Sequence, residues 1–312
     1  MGCRLTPDIL VGPQLDARAR LLRIEDTRRD EPALMDSLLR SADPVTRGAA
    51  ALAAGRIGAR RHAPVLRQLA TDADSAVAAK AIFALGLLED TASVGIAAIA
   101  LRGDTARGRE AAWLLGTLGE RGRAAIVAGL SDRSLPATTR GGLLLAAARL
   151  RPVPATTVAP LLASEDSALA WRAAYVIARG RGVAALRALL GQRNAGWSSV
   201  REQVARGAAR SMAGDSLGAL AREALRGLLA DHEARVRVNT VRSLASYGPA
   251  ERTAVLSALR DPDANVRVVA AQSLDAVLDS STATWRDAFG SDTTFAVRRA
   301  VADGAARHGV DV

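Results

Sequence analysis

At 312 residues, 49% of them apolar, the chain has material for a large core, in principle for two or three globular domains. Lys and Arg outnumber Asp and Glu 42 to 32, and the net charge of +10 admits nucleic acid or an acidic partner. The single cysteine, Cys3, excludes a disulfide framework and a cysteine-based metal site, and no apolar run reaches the roughly 20 residues of a membrane-spanning helix.

In chain order, residues 1–15 contain Pro7 and Pro13 and read as a disordered or extended tail. Met1-Gly2-Cys3-Arg4-Leu5-Thr6 fits an N-myristoylation pattern. No apolar signal core follows the start, so a cytoplasmic chain is expected. The alternative is an exported lipoprotein, with Gly2-Cys3 the remnant of a trimmed cleavage site. Residues 16–29 form an amphipathic helix with Leu21, Leu22 and Ile24 apolar. Its expected role is to cap a repeat array, whose first unit would otherwise expose apolar surface.

From residue 31 to 309 the chain repeats itself. Nine units align on Thr46, Val77, Arg107, Thr139, Leu169, Val200, Val236, Val266 and Val297, each opening the second helix of a unit. The steps are 30–32 residues, except the 36 from Val200 to Val236. Such a period specifies a solenoid. The second unit shows the pattern: residues 63–70 are a first helix, Asp72-Ala73-Asp74-Ser75 is a turn, and 77–88 is a second helix. Asp74 or Ser75 is placed to cap that second helix. Val77, Ala81, Ala84, Leu85 and Leu88 fall on one helical face. The other first helices are 32–39, 94–101, 123–130, 157–162, 183–190, 217–229, 252–259 and 284–289. The expectation is therefore an all-α protein: one solenoid over 16–312, of about nine two-helix repeats plus the N-terminal cap helix.

The run Asp261-Pro262-Asp263-Ala264-Asn265-Val266-Arg267-Val268-Val269-Ala270-Ala271, and its counterpart beginning Asp43-Pro44-Val45-Thr46-Arg47, resemble the HEAT repeat. The likeness is to the short bacterial type also seen in phycocyanobilin lyase-like proteins. It implies an α-α superhelix of the HEAT/armadillo class, with second helices lining the concave side. It also implies that the arginine after each opening residue joins a turn aspartate of a neighbouring unit. That arginine is present as Arg47, Arg140, Arg201, Arg237, Arg267 and Arg298; Ala78, Gly108 and Ala170 replace it in three units, where the ladder is expected to be weaker. Similar arrays are joined to a cyclophilin-type peptidyl-prolyl isomerase domain, absent from these residues, so a fragment or relative of such a polypeptide is one alternative. Bilin lyase activity would rest on repeat type alone.

Catalytic constellations are missing. His62, His232 and His308 lie far apart, and His232-Glu233 is not completed as a zinc-protease helix because Val236 stands where a second histidine is needed. Asp72/Asp74 and Asp261/Asp263 read as helix-capping turn residues in place of metal pairs. Gly180-Arg181-Gly182 reads as a helix C-cap in place of a phosphate loop. No catalytic residue, metal or cofactor is expected.

The candidate site is a stripe. Six residues into each second helix stand Leu52, Phe83, Trp113, Leu145 and Tyr175, and then Arg206, Arg242, Gln272 and Asp303. This position lies roughly 145° from the centre of the buried face, at about 100° per residue. Trp171 sits at a neighbouring angle. An exposed aromatic stripe marks a surface for a partner protein or peptide; the competing reading has these side chains folded sideways against the next helix. Arg201, Arg206, Arg210, Arg237 and Arg242 form the rival candidate, an anion-binding set for a nucleic-acid backbone. Against it, few aromatics interleave for base stacking, and recurring aspartates neutralise part of the charge. A monomeric, non-enzymatic scaffold with a protein or peptide partner is the leading expectation.

Overall fold

The computed structural model describes residues 12–180, 182–278, 282–290 and 292–312. The described residues contain helices and no strand, and they divide into two compact units, Met1–Leu150 and Arg151–Val312. In the first, α1 (Gly12–Thr27) precedes four helix pairs: α2 (Pro32–Leu39) with α3 (Pro44–Arg56), α4 (Ala63–Leu69) with α5 (Ser75–Leu87), α6 (Val94–Ala100) with α7 (Thr105–Leu118), and α8 (Arg123–Ser131) with α9 (Ala137–Ala147). The second holds α10 (Ala155–Val158) and α11 (Ser167–Arg179), α12 (Val183–Leu190) and α13 (Ser198–Gly207), α14 (Arg210–Leu228) and α15 (Ala234–Ala245), α16 (Arg252–Ala258) and α17 (Ala264–Val277), and α18 (Thr282–Gly290) and α19 (Phe295–Arg307). Within each unit every second helix packs on the next, α3 on α5 on α7 on α9, and α11 on α13 on α15 on α17 on α19. This is the all-α solenoid read from the repeats.

The boundaries depart from expectation at three places. The cap helix begins at Gly12, so residues 12–15 are helical and not part of a tail; the patterns at Met1–Thr6, Cys3 among them, lie outside the described residues. Leu21 and Ile24 bury against α3, but Leu22 points outward. In the fifth unit the first helix is cut to four residues and continues as a 3-10 turn, Ala159–Ala163. Pro160 explains it, because proline has no N–H to extend the α ladder. The 36-residue step is absorbed by α14, which kinks at Gly214 (φ 55°, ψ −164°), a backbone region that glycine enters without a Cβ clash.

In two of the turns, Asp72–Asp74 and Asp261–Asp263, two aspartates divide the work. In Asp72-Ala73-Asp74, the second carboxylate caps α5 by accepting from the Ala76 and Val77 amides. The first accepts from the Asp74 amide and from both Nε and Nη2 of Arg47 in the preceding repeat, at 2.8 and 2.9 Å. Arg47 also donates to the Ser41 carbonyl. Arg201–Asp231 and Arg237–Asp261 repeat this arrangement, and Arg267 divides its fork between Asp292 and the Thr294 hydroxyl. A planar fork suits such a junction because it bonds a carboxylate with two N–H groups and still reaches a carbonyl. Two arginines leave the series: Arg140 buries an Nε without a partner, and the Arg298 guanidinium lies 4.3 Å above the Phe289 ring. Where the arginine is missing, in the second and third repeats, other side chains make the link: Ser75 donates to Asp104, and Arg102 pairs with Asp132 at 2.8 Å.

These bonds set an acid sensitivity. The hydrogen bond from Arg47 holds Asp72 below the usual carboxylate range. Burial pushes Asp231 and Asp261 up, but Arg201 and Arg237 with the turn amides bring both down on balance. The Thr294 amide and Arg267 lower Asp292 to about 2. A carboxylate with a lowered folded pKa stabilises the fold above its unfolded pKa of about 4, and that stability is lost as pH falls through the folded value. Helical circular dichroism should therefore hold from neutral pH to about pH 4 and fall between about 4 and 2, with Asp292→Asn removing part of the slope in that window.

Among the described residues one buried hydroxyl is unmatched. Thr139 is 1% exposed and its Oγ1 has no hydrogen-bond partner, whereas valine fills the same slot at Val77, Val200, Val236, Val266 and Val297. Thr139→Val should raise stability by about 1 kcal/mol, since an unpaired buried hydroxyl costs about that much or more; urea denaturation measures it.

Candidate functional site

The stripe of the N-terminal unit stands on closely approached helices. A Cβ at Gly55 would lie 2.7 Å from the Ala84 Cα, so α3 and α5 meet backbone to backbone. One repeat on, the Trp113 ring occupies the space beside Gly86, its Cζ3 2.2 Å from where a Cβ would stand. Trp113 thus leans from α7 over α5 and stacks on Phe83, with ring centroids 4.6 Å apart and an interplanar angle of 29°. Both rings remain partly exposed, as does Leu52 on α3, and Leu145 on α9 is 45% exposed. The sideways packing weighed for these residues and the open face are therefore both present: each ring covers part of its neighbour and leaves an edge to solvent. Leu87 belongs to the same face and was not among the expected residues; it stands one helical turn beyond Phe83 and is 38% exposed. Its i, i+4 spacing from Phe83 was the available signal.

Tyr175 and Trp171 lie in the C-terminal unit, on a single helix, α11. They stack at 5.7 Å, and Arg179 one turn later lies 5.4 Å from the Tyr175 ring centroid. The polar half of the stripe behaves differently. Gln272 and Asp303 line a cleft of about 340 Å³ together with Arg299 and Phe295, and Phe295 is 77% exposed.

The five arginines of the rival set do not act alike. Arg201 is buried, bonded to Asp231 and to the Ala195 and Gly196 carbonyls, and Arg237 likewise holds Asp261 and the Asp231 and His232 carbonyls. The anion-binding expectation for these two is corrected: their N–H groups are consumed by the repeat junctions. Arg206 donates to Asn239 Oδ1 and pairs with Glu202. Arg210 and Arg242 are exposed.

Two of the histidines are held by carboxylates, and the acidic pairs serve as caps and junctions. His62 is buried with Nε2 3.0 Å from Asp30 and Nδ1 3.0 Å from Asp36. His308 meets Asp275 at 2.8 Å and leans on Trp285. His232 is exposed in the turn before α15. Asp263 caps α17 while Asp261 receives Arg237, and Gly180 closes α11 by donating to the Val176 and Ile177 carbonyls; Arg181 lies outside the described residues. No group of three or more His, Cys, Asp or Glu side chains among the described residues could hold a metal ion. No described helix is long and apolar enough to cross a membrane.

Residues 31–116 match the family model of HEAT repeats. This segment is a HEAT-repeat array. It contains Leu52, Phe83, Leu87 and Trp113, so most of the apolar face stands on HEAT second helices. Among solved structures, 97% of the chain aligns with 50% of importin beta, at a TM-score of 0.64 and 12% identity. It also aligns, over 98% of its length, with 50% of a chain in the complex of Kap95p with RanGDP (TM-score 0.61, 14% identity). An engineered protein aligns over 87% of this chain and 86% of its own (TM-score 0.52, 20% identity). The chain thus spans about half the length of the importin-type chains it matches. At these identities the likeness is one of fold. No curated protein matches the chain.

Proposed function

We propose that the chain is a non-catalytic HEAT-repeat scaffold that holds a protein or peptide partner on the second-helix face of its N-terminal unit. The observation that carries this reading is the Phe83–Trp113 stack, left partly open and continued on one face by the exposed Leu87 and Leu145. Clustered aromatic and aliphatic side chains open to water are what protein interfaces use as anchors. Kap95p, a structural neighbour, binds RanGDP, which is in keeping with a protein partner here.

The test is a pull-down with the intact chain and a Phe83→Ala/Trp113→Ala variant, at low and high salt and after nuclease treatment. Loss of a hot-spot aromatic costs about 2 kcal/mol or more, roughly 30-fold in affinity. The expected result is a protein partner that survives nuclease and is lost with the variant, while the variant's melting curve stays cooperative. Retention of the partner by the variant would sink the reading. A nuclease-sensitive signal indifferent to the variant would instead favour nucleic acid at Arg210 and Arg242.

A further inference from the structure

The second helices under the apolar face of the N-terminal unit carry more basic than acidic side chains. On α3, α5, α7 and α9 the charged side chains are six cations and a single carboxylate, Glu110; three of the cations, Arg47, Arg56 and Arg107, are ion-paired with Asp72, Glu25 and Asp104 outside these helices. Glu110 is already paired with Arg109 at 2.8 Å. Two cations at the edges of the face make no ion pair among the described residues. Lys80, the only lysine of the chain, reaches back from α5 across Gly48 of α3, its Nζ 3.4 Å from where a glycine Cβ would stand. Arg149, exposed just beyond α9, reaches back over Gly116 of α7, its Nη1 3.7 Å from the corresponding Cβ position. Lys80 lies one turn before Phe83, and Gly116 lies one turn after Trp113. The aromatic stack is thus flanked by an unneutralised cation at each end, with no free carboxylate on these helices.

We infer that the partner segment is acidic: an amphipathic stretch whose apolar side chains seat on Phe83, Leu87, Trp113 and Leu145 and whose carboxylates meet Lys80 and Arg149. This rests on the proposed binding face and names the chemistry of its occupant. Apolar anchors alone would accept any hydrophobic segment; like-charge contacts reject basic ones, and specificity needs both terms. Partly exposed cations also steer an acidic segment at long range, so association should slow as salt rises.

The experiment is selection of a random-peptide display library on the intact chain. The leading peptide is then resynthesised in three forms, with its acids kept, changed to amides, and changed to lysine, and binding is read by fluorescence anisotropy. Enriched peptides should carry net negative charge, and the amide form should bind at least about tenfold more weakly, about 1.4 kcal/mol. Lys80→Glu/Arg149→Glu should weaken the acidic form by a similar factor and leave the amide form unchanged. If all three forms bind alike and all are weakened by Phe83→Ala/Trp113→Ala, the acidic preference is wrong and the binding face stands. If no enriched peptide depends on Phe83 and Trp113, both are wrong.

Discussion

Arg201→Ala should cost about 3–5 kcal/mol, because it strands a buried carboxylate. The side chains of Arg201 and Asp231 are 6% and 5% exposed, and Nε approaches Oδ2 at 2.6 Å. Removing the guanidinium leaves Asp231 with the Glu233 amide as its remaining donor and takes a donor from the Ala195 and Gly196 carbonyls. Arg201→Lys should not restore the loss, since an ammonium cannot fork to both carboxylate oxygens and reach the carbonyls as well. Replacing both partners, Arg201→Met with Asp231→Leu, should recover most of it, because no charge then stays buried. Urea denaturation gives the free energies. Hydrogen exchange should place the loss at α13 and the turn before α15, since a repeat array opens locally. A cost under about 1 kcal/mol would mean the junction is open to water in solution.

Trp285→Ala is the second large loss expected, again about 3–5 kcal/mol. Trp285 is fully buried between α18 and α19, where its ring fills the space that a Cβ at Gly304 would enter at 2.8 Å. It is the largest side chain in a core with Val269, Leu274, Val297 and Val301. Alanine would leave a cavity that rigid neighbouring helices cannot close. Phe295→Ala is the control: that ring is 77% exposed, and its loss should move stability by less than about 0.5 kcal/mol. Two aromatics ten residues apart should thus differ severalfold in effect; equal effects would show that the last repeat is not packed as described.

Those two rings show why the site was only half legible from the repeats. The register of the second helices followed from apolar spacing and the recurring turn aspartates, and second helices such as Pro44–Arg56, Ser75–Leu87 and Ala264–Val277 formed around the expected opening residues. The inter-repeat arginine was legible for the same reason, since a motif copied at each unit meets the same neighbour each time. The stripe through Leu52, Phe83, Trp113 and Leu145 was legible as an angle on a helix. Whether such a side chain covers its neighbour or faces water depends on the glycine opposite it, and Gly86 belongs to a different helix from Trp113.

What the amino-acid order determined alone was therefore periodic and local: helix pairs, caps and turn aspartates. Proline and glycine modified it locally too, at Pro160 and Gly214. What tertiary packing decided was the use of each cation. Arg201, Arg237 and Arg242 were all candidates for an anion-binding set, yet two are consumed by buried carboxylates of the next turn and one stays exposed. Helical periodicity places a side chain on a face, but burial and partnership are properties of the neighbouring helix. The same charge is structural where a carboxylate closes on it, whereas Lys80 and Arg149 lie over glycines of the preceding second helix and make no ion pair among the described residues.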